Sequence, residues 1–357
     1  MKYIIGCGSG IGDLIIILPM AKAIKQVDKQ AYIKVFIAAD TNRLKINKAL
    51  LDIQDYIDTI DCYSLREPLH LVSFISKIGY KTFDYGFVLQ YDNNFYTSTW
   101  PSRIVSTASK KTCGISTPMN PEIVYDITIP RQDGMLMANY GLKMLHYLGI
   151  SSSFDTNNLI NKNKLLPYIK KWQNLNFHNK NSVVLCLSAA AVEVTKNRQR
   201  FSKSLKNWSY DNWQRLALKL VSAGFEVILI GGKKERREFD ISLNYILSEN
   251  IHDYIGKLSV IESIAVMSLS KLVVGADTGM MHCAGAIDIP SLTLFGCTDP
   301  KEYLAFGNRS SFIMSKIDCA PCFGTEKAVL CCDIKCMKEI TVDEVYEKIV
   351  GLIKDEN

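Results

Sequence analysis

No apolar stretch in this sequence approaches the roughly 20 residues needed to cross a bilayer. The longest runs, such as Leu14 to Leu18 and Leu292 to Phe295, fall far short, and no membrane span is expected. A secretory leader is not expected either: only Lys2 precedes the first apolar run, which breaks at once into glycines. A Lys/Arg block is also missing, as is any basic stripe interleaved with aromatics, so nucleic acid is not an expected partner. There is no Asp-x-Asp pair to hold a divalent ion against a diphosphate, and no internal repeat.

What is present is ordinary globular usage. The 357 residues are 48% apolar and 22% charged, which excludes a mainly disordered or collagen-like chain and suggests about two domains. Forty-two basic against thirty-six acidic residues give +6, a modest balance that fits an anionic partner at a membrane surface without requiring one. The expected location is the cytoplasm, with peripheral contact at the inner face of the inner membrane. In that compartment the eleven cysteines are expected as reduced thiols or metal ligands rather than a disulfide scaffold.

Strand and helix patterns alternate. Tyr3 to Ile5 reads as a strand, then a glycine loop, a helix from Asp13 to Val27 and a strand at Ile33 to Ala38. Phe87 to Leu89 and Thr112 to Ile115 read as buried strands, and Met135 to Leu148 as a helix closed by Gly149. Residues 1–150 therefore form one expected α/β domain, and the polar, asparagine-rich 151–181 a linker carrying one helix. Residues 182–340 repeat the alternation: strands at Val183 to Leu187, Glu226 to Ile230, Leu272 to Val274 and Ser291 to Phe295, helices at Tyr210 to Ala223 and Ile261 to Ser268. Thr341 to Lys354 has a capping-box spacing, with Glu344 three positions after Thr341, and residues 341–357 read as a C-terminal helix. The expected fold class is α/β: two Rossmann-like domains with parallel sheets facing a central cleft, where ligands bind at the strands' carboxyl ends.

Two loops carry the chemistry. GCGSGIGD follows a strand and opens a helix, as a dinucleotide loop does, and Asp40 ends the next strand where a ribose-binding acid would stand. This supports an NAD-dependent sugar-nucleotide oxidoreductase. Against it, no register gives G-x-G-x-x-G, and Asp13 would oppose a pyrophosphate docked on the same amides. A carboxylate among the flexible glycines Gly10 and Gly12 suits instead the removal of a proton from an incoming hydroxyl. The plainer alternative is that Asp13 caps its helix.

The second loop, VVGADTGMMHCAGA, places Asp277, Thr278 and Gly279 at a turn before a helix bearing His282. Such a helix start offers free amides to a phosphate, Thr278 adds a hydroxyl and Gly279 permits close backbone approach. Asp277 suits orientation of His282 or a ligand hydroxyl. Upstream, Lys206 in SLKNW has the charge to neutralise a leaving diphosphate, and Glu235 beyond IGG suits the two hydroxyls of a ribose. Each has a structural alternative as cap, packed histidine or solvated charge. Together they point to a nucleoside diphosphate bound without catalytic metal or other cofactor, in a transferase or in a non-catalytic sugar-nucleotide-binding protein.

GIGDLIIILP, KNW, GADTGMMH, IPSLTLFGCTDP and CAPC followed by CM resemble glycosyltransferase family 9, whose best-known members are ADP-heptose:lipopolysaccharide heptosyltransferases. The resemblance implies a GT-B fold and an inverting, metal-independent glycosyltransferase, with an N-terminal acceptor domain and a C-terminal sugar-nucleotide domain. By it, Asp13 is the general base. Lys206, Thr278 and Gly279 meet the diphosphate, Glu235 the ribose, and Asp277 and His282 complete the donor pocket, with Gly10, Gly12 and Ser188 also expected among the donor-binding residues. The favoured donor is ADP-heptose, and the acceptor a lipopolysaccharide inner-core sugar or a protein Ser/Thr hydroxyl.

Two features depart from the family pattern. Ser188 is followed by three alanines where relatives place hydroxyl residues, and Val192 to Leu205 is longer and more basic than expected, so that Lys203 is an alternative to Lys206. Five cysteines cluster late in the chain, with Cys319 and Cys322 in a C-x-x-C pair. Cys319, Cys322, Cys332 and Cys336, with Cys331 as the alternative to Cys332, have spacings that suit a structural zinc or iron site. The autotransporter heptosyltransferase branch, which carries an iron-binding finger, is similar in this respect. Reduced thiols in a loop are the alternative.

Overall fold

In a computed structural model, the structure describes residues 1–38, 41–63, 78–89, 95–116, 125–150, 158–173, 181–187, 192–196, 199–203, 205–242 and 248–355. Asp40 and Ser188 lie outside them. The chain divides into two compact units, Met1–Lys164 and Leu165–Asn357.

Each unit is built on a six-stranded sheet. In the first, β1 (Lys2–Cys7), β2 (Tyr32–Ala38), β3 (Thr59–Tyr63), β4 (Phe83–Leu89), β5 (Ser109–Ser116) and β6 (Ile127–Pro130) take the order β3-β2-β1-β4-β5-β6. In the second, the order is β11-β10-β7-β12-β13-β14. Its strands are β7 (Ser182–Cys186), β10 (Glu226–Ile230), β11 (Ile251–Asp253), β12 (Leu272–Ala276), β13 (Ser291–Phe295) and β14 (Ser310–Met314). Every pairing within both sheets is parallel. A hairpin of β8 (Val192–Lys196) and β9 (Gln199–Lys203) is antiparallel and lies in the long basic stretch that the sequence set apart.

Parallel strands are covered on both faces by crossover segments, which is why their sequences run apolar rather than alternating. In β7, β12 and β13 every residue is buried. Burying each large aliphatic side chain contributes about 1.5–3 kcal/mol against leaving it in water, so these central strands fix the sheet and its loops follow. In both sheets the strand order reverses beside the first strand, between β1 and β4 and between β7 and β12. Loops leaving the carboxyl ends at such a reversal diverge to opposite faces and open a crevice where ligands bind. The loop after β1 leads into the helix turn that carries Asp13, and the loop after β12 carries Asp277.

The single helix expected from Asp13 to Val27 is two, Ile11–Ile16 and Leu18–Val27. Pro19 lacks the amide that would continue the first ladder and sits at the start of the second helix, where none is required. Gly149 and Gly224 take φ of 66° and 85° just past helices Met137–Tyr147 and Tyr210–Ser222, a left-handed conformation that stops a helix. The last helix, Val342–Asp355, starts with the Glu344 amide donating to the Thr341 hydroxyl at 3.2 Å. No helix among the described residues is long and apolar enough to cross a membrane.

Candidate functional site

Asp277 follows β12 directly and is 5% exposed. Its Oδ2 accepts hydrogen bonds from the Lys206 ammonium at 2.6 Å and from the Thr298 hydroxyl at 2.8 Å. Burial pushes this carboxyl up, but Lys206, the nearby His282 and Thr298 outweigh it and hold the group below the usual carboxylate range. Asp277 is therefore charged at neutral pH.

Lys206 is delivered by its neighbours in KNW. Trp208 is 2% exposed; its indole N–H donates to the Ile340 carbonyl at 2.9 Å, and its ring meets Trp213 edge to face at 4.8 Å. This anchor fixes the turn from which the Lys206 side chain, 16% exposed, extends to Asp277. Nothing can be compared at Lys203, whose side chain lies outside the described set.

The helix Gly279–Ala286 begins at this carboxylate, with Thr278 as its N-cap residue. The Thr278 hydroxyl makes no capping bond; it is buried without a partner, as is Nδ1 of His282. A buried polar atom without a partner costs about 1–3 kcal/mol, so two at one helix start are informative. Burial pushes the His282 imidazole below its usual value; Asp277 pulls it up and Lys206 pushes it down, and the net effect is a neutral ring. The arrangement therefore holds a cation, free helix amides, a hydroxyl and an imidazole nitrogen with hydrogen-bonding capacity to spare, a set suited to phosphate oxygens.

Glu235 sits in the first turn of the helix Lys233–Ser242, beyond β10, and accepts the Gly232 amide at 2.8 Å. In the first unit Asp13 repeats the device, its Oδ2 accepting the Gly10 amide at 2.8 Å in the first turn of Ile11–Ile16. Each carboxylate thus caps a helix through one of its oxygens. Asp13 packs so closely on the loop that a Cβ on Gly8 would overlap its carboxylate, and one on Gly10 would lie 3.0 Å from Oδ2. From the helix Thr41–Ala49, Arg43 donates to the Ser9 hydroxyl at 2.8 Å and Asn47 to the Ser9 carbonyl at 3.0 Å, pinning the loop. Gly12 lies half-buried next to Asp13.

The structure thus joins Lys206, Asp277, Thr278, Gly279 and His282 in one site. Glu235 stands in the first turn of the helix after β10, and Asp13 in the first turn of the helix after β1. Thr298, hydrogen-bonded to Asp277, was not singled out by sequence reasoning. Its signal was its place directly after the apolar run Leu292 to Phe295 and a glycine-cysteine pair.

Among the described residues no group of three or more His, Cys, Asp or Glu is placed to hold a metal ion. Of the candidates Cys319, Cys322, Cys332 and Cys336, Cys319 and Cys332 are exposed, Cys322 and Cys336 buried. It is Cys331 rather than Cys332 that packs against the cluster of Leu205, Cys297, Cys322 and Ala328. Burial, then the neighbouring Cys331 and Cys319, push the Cys322 thiol up, and burial carries Cys336 to about 11, so both are thiols at neutral pH.

Two parallel sheets, with a glycine-bordered carboxylate after one switch strand and a buried lysine–aspartate pair at a helix start after the other, define the class: a two-unit α/β protein. Residues 173–332 match the model of glycosyltransferase family 9 (heptosyltransferase), and the resemblance carried by the motifs is shown over that stretch, which contains Lys206 through Cys332 but not Asp13. Lipopolysaccharide heptosyltransferase 1 of Pseudomonas aeruginosa is 34% identical over 117 residues, 33% of this chain and 32% of that protein. The aligned stretch thus spans about a third of that curated relative. Among solved structures, the glycosyl transferase family 9 protein from Veillonella parvula superimposes with a TM-score of 0.73 at 13% identity, covering 99% of this chain and 97% of that one. E. coli heptosyltransferase WaaC with ADP does so with a TM-score of 0.69 at 15% identity, covering 99% and 100%. The expected α/β fold of two parallel sheets is shown by these superpositions.

Proposed function

We propose that the chain is an inverting, metal-independent glycosyltransferase that moves a heptose from ADP-heptose to a hydroxyl of a lipopolysaccharide core sugar. The observation that carries the reading is the pair of orphaned groups, Thr278 Oγ1 and His282 Nδ1, buried beside the Lys206–Asp277 pair at a helix start. Two unsatisfied polar atoms next to a buried cation are what a departing diphosphate would complete. The donor and acceptor are taken from the heptosyltransferase relatives; a protein hydroxyl is the second acceptor to be tried.

In this mechanism the acceptor hydroxyl gives its proton to Asp13 as its oxygen attacks the anomeric carbon from the face opposite the leaving group. The bond to the β-phosphate oxygen breaks, and the diphosphate carries away the bonding electrons. Helix amides, Thr278 and Lys206 receive the charge that develops on the phosphate oxygens, so stabilisation grows as the bond breaks. Glu235 accepts ribose hydroxyls through the carboxylate oxygen that Gly232 leaves available. Neutral His282 hydrogen-bonds the donor without adding a cation. No step passes through the cysteines.

The test is ADP release from ADP-heptose in the presence of lipopolysaccharide inner-core acceptor, with and without a chelator. The reading expects turnover that survives chelation. Turnover abolished by chelation and restored by a divalent cation would overturn metal independence, and failure to bind ADP would overturn the donor assignment.

A further inference from the structure

The cysteine-bearing loop approaches the phosphate-suited site through one side chain. Lys206 Nζ lies 5.8 Å from the centre of the Phe323 ring. Phe323 is 38% exposed, which leaves part of the ring open to a cation. We propose that Phe323 is a positioning residue for Lys206, holding the ammonium by cation–π attraction where it can pass from Asp277 to a donor diphosphate. The inference rests on the sugar-nucleotide reading of this site.

Four contacts fix the ring. The amides of Cys322 and Phe323 both donate to the Cys297 carbonyl at 2.8 Å. The Thr325 hydroxyl closes the turn by donating to the Cys322 carbonyl at 2.7 Å. Tyr303 meets the Phe323 ring edge to face at 5.7 Å. Finally, Leu205 and Cys322, each one residue before the paired side chains, pack in the same buried cluster with Cys297. Because Thr298 follows Cys297 and donates to Asp277, the contacts make a closed circuit: Thr298 to Asp277, Asp277 to Lys206, Lys206 to Phe323, and Phe323 through its backbone to Cys297.

A lysine ammonium on a four-carbon stem has many rotamers. The carboxylate alone restrains its direction but would also hold it back from a ligand. An aromatic face attracts the cation without competing for its N–H donors, so it restrains the ammonium while leaving those donors for phosphate oxygens.

Calorimetric titration of the full chain with ADP tests this in a double-mutant cycle of Phe323→Leu and Lys206→Met, with Phe323→Tyr as the conservative variant. Phe323→Leu is expected to weaken ADP by about three- to fivefold, the size of a partly exposed cation–π contact. Phe323→Tyr should bind like the wild type, and Phe323→Leu should have no effect once Lys206 is methionine. An equal effect of Phe323→Leu in both backgrounds, or none in either, overturns the proposal.

A second measurement is independent of nucleotide. After reductive methylation with 13C-formaldehyde, the Lys206 dimethyl resonance, assigned by its loss in Lys206→Met, should be shifted upfield by the ring and return in Phe323→Leu. A resonance that does not move overturns the proposal whatever the titration gives. Wild-type chain that shows the ring shift but binds no ADP would sink the sugar-nucleotide reading and leave the pair itself standing.

Discussion

The Lys206 ammonium lies 2.6 Å from Asp277 Oδ2, a contact made across 71 residues of sequence between a turn anchored by Trp208 and the end of a central strand. The pair is mostly withdrawn from solvent, at 16% and 6% side-chain exposure. Removing one partner leaves a buried charge with one neutral donor or acceptor. Lys206→Met is expected to destabilise the second unit by about 3 kcal/mol, at the low end for a broken buried pair because Lys206 still reaches water. Urea unfolding followed by tryptophan fluorescence measures this, since Trp208 and Trp213 lie in that unit. Adding Asp277→Asn to Lys206→Met should recover part of the loss.

The His282 imidazole gives a pH signature. Its folded value is depressed below the ordinary 6.5 by burial, so the unfolded state binds a proton that the folded state refuses. The associated stability is present above pH 6.5 and is lost as pH falls toward the lower folded value, with a limiting slope of about 1.4 kcal/mol per pH unit. Urea midpoints of His282→Gln, which cannot titrate, should depend on pH between 7 and 5 less steeply than those of the wild type. Asp277 acts in a lower window: its folded value is also depressed, so its contribution is present above about pH 4 and lost only below that.

Gly8 tests the first loop. A Cβ there would overlap the Asp13 carboxylate, which also caps Gly10. Gly8→Ala must therefore turn Asp13 away or shift the loop. ADP-heptose turnover is expected to fall about tenfold or more, equivalent to about 1.4 kcal/mol in the barrier, while ADP affinity, which the proposed function assigns to the other unit, should stay at the wild-type level. Steady-state turnover beside an ADP titration checks both.

Trp208→Phe keeps an aromatic ring in the core but removes the donor to the Ile340 carbonyl. The unsatisfied carbonyl should cost about 1–3 kcal/mol. Because the turn carrying Lys206 loosens with it, ADP affinity should fall in parallel. A destabilised variant with unchanged ADP affinity would show that the anchor serves stability alone.

Central strands, both functional loops and the helix stops at Gly149 and Gly224 were legible because they rest on local signals: buried apolar runs, glycine after a periodic segment, hydroxyl or acid before one. The edges were not. Strands β3, β6, β11 and β14 are short or half-exposed and owe their conformation to the neighbour they pair with, which composition does not encode. The break between Ile11–Ile16 and Leu18–Val27 had a written cause in Pro19 that the apolar pattern masked. At the candidate site, Asp277, His282 and Lys206 were visible as types at motif positions. Their pairing was not, nor was the hydroxyl of Thr298, because such contacts join residues far apart in sequence. That Cys331 packs inward while Cys332 is exposed was not legible either, because adjacent residues in a turn do not disclose which side chain points in.

The most direct test of the account is ADP release from ADP-heptose by Asp13→Asn beside the wild type, with ADP affinity measured on both. Asparagine can still accept the Gly10 amide, so the loop should keep its shape while losing its base. The account predicts unchanged ADP affinity and a turnover lower by about 100- to 10,000-fold. An Asp13→Asn protein that turns over as fast as the wild type would contradict it and leave Asp13 as a helix cap.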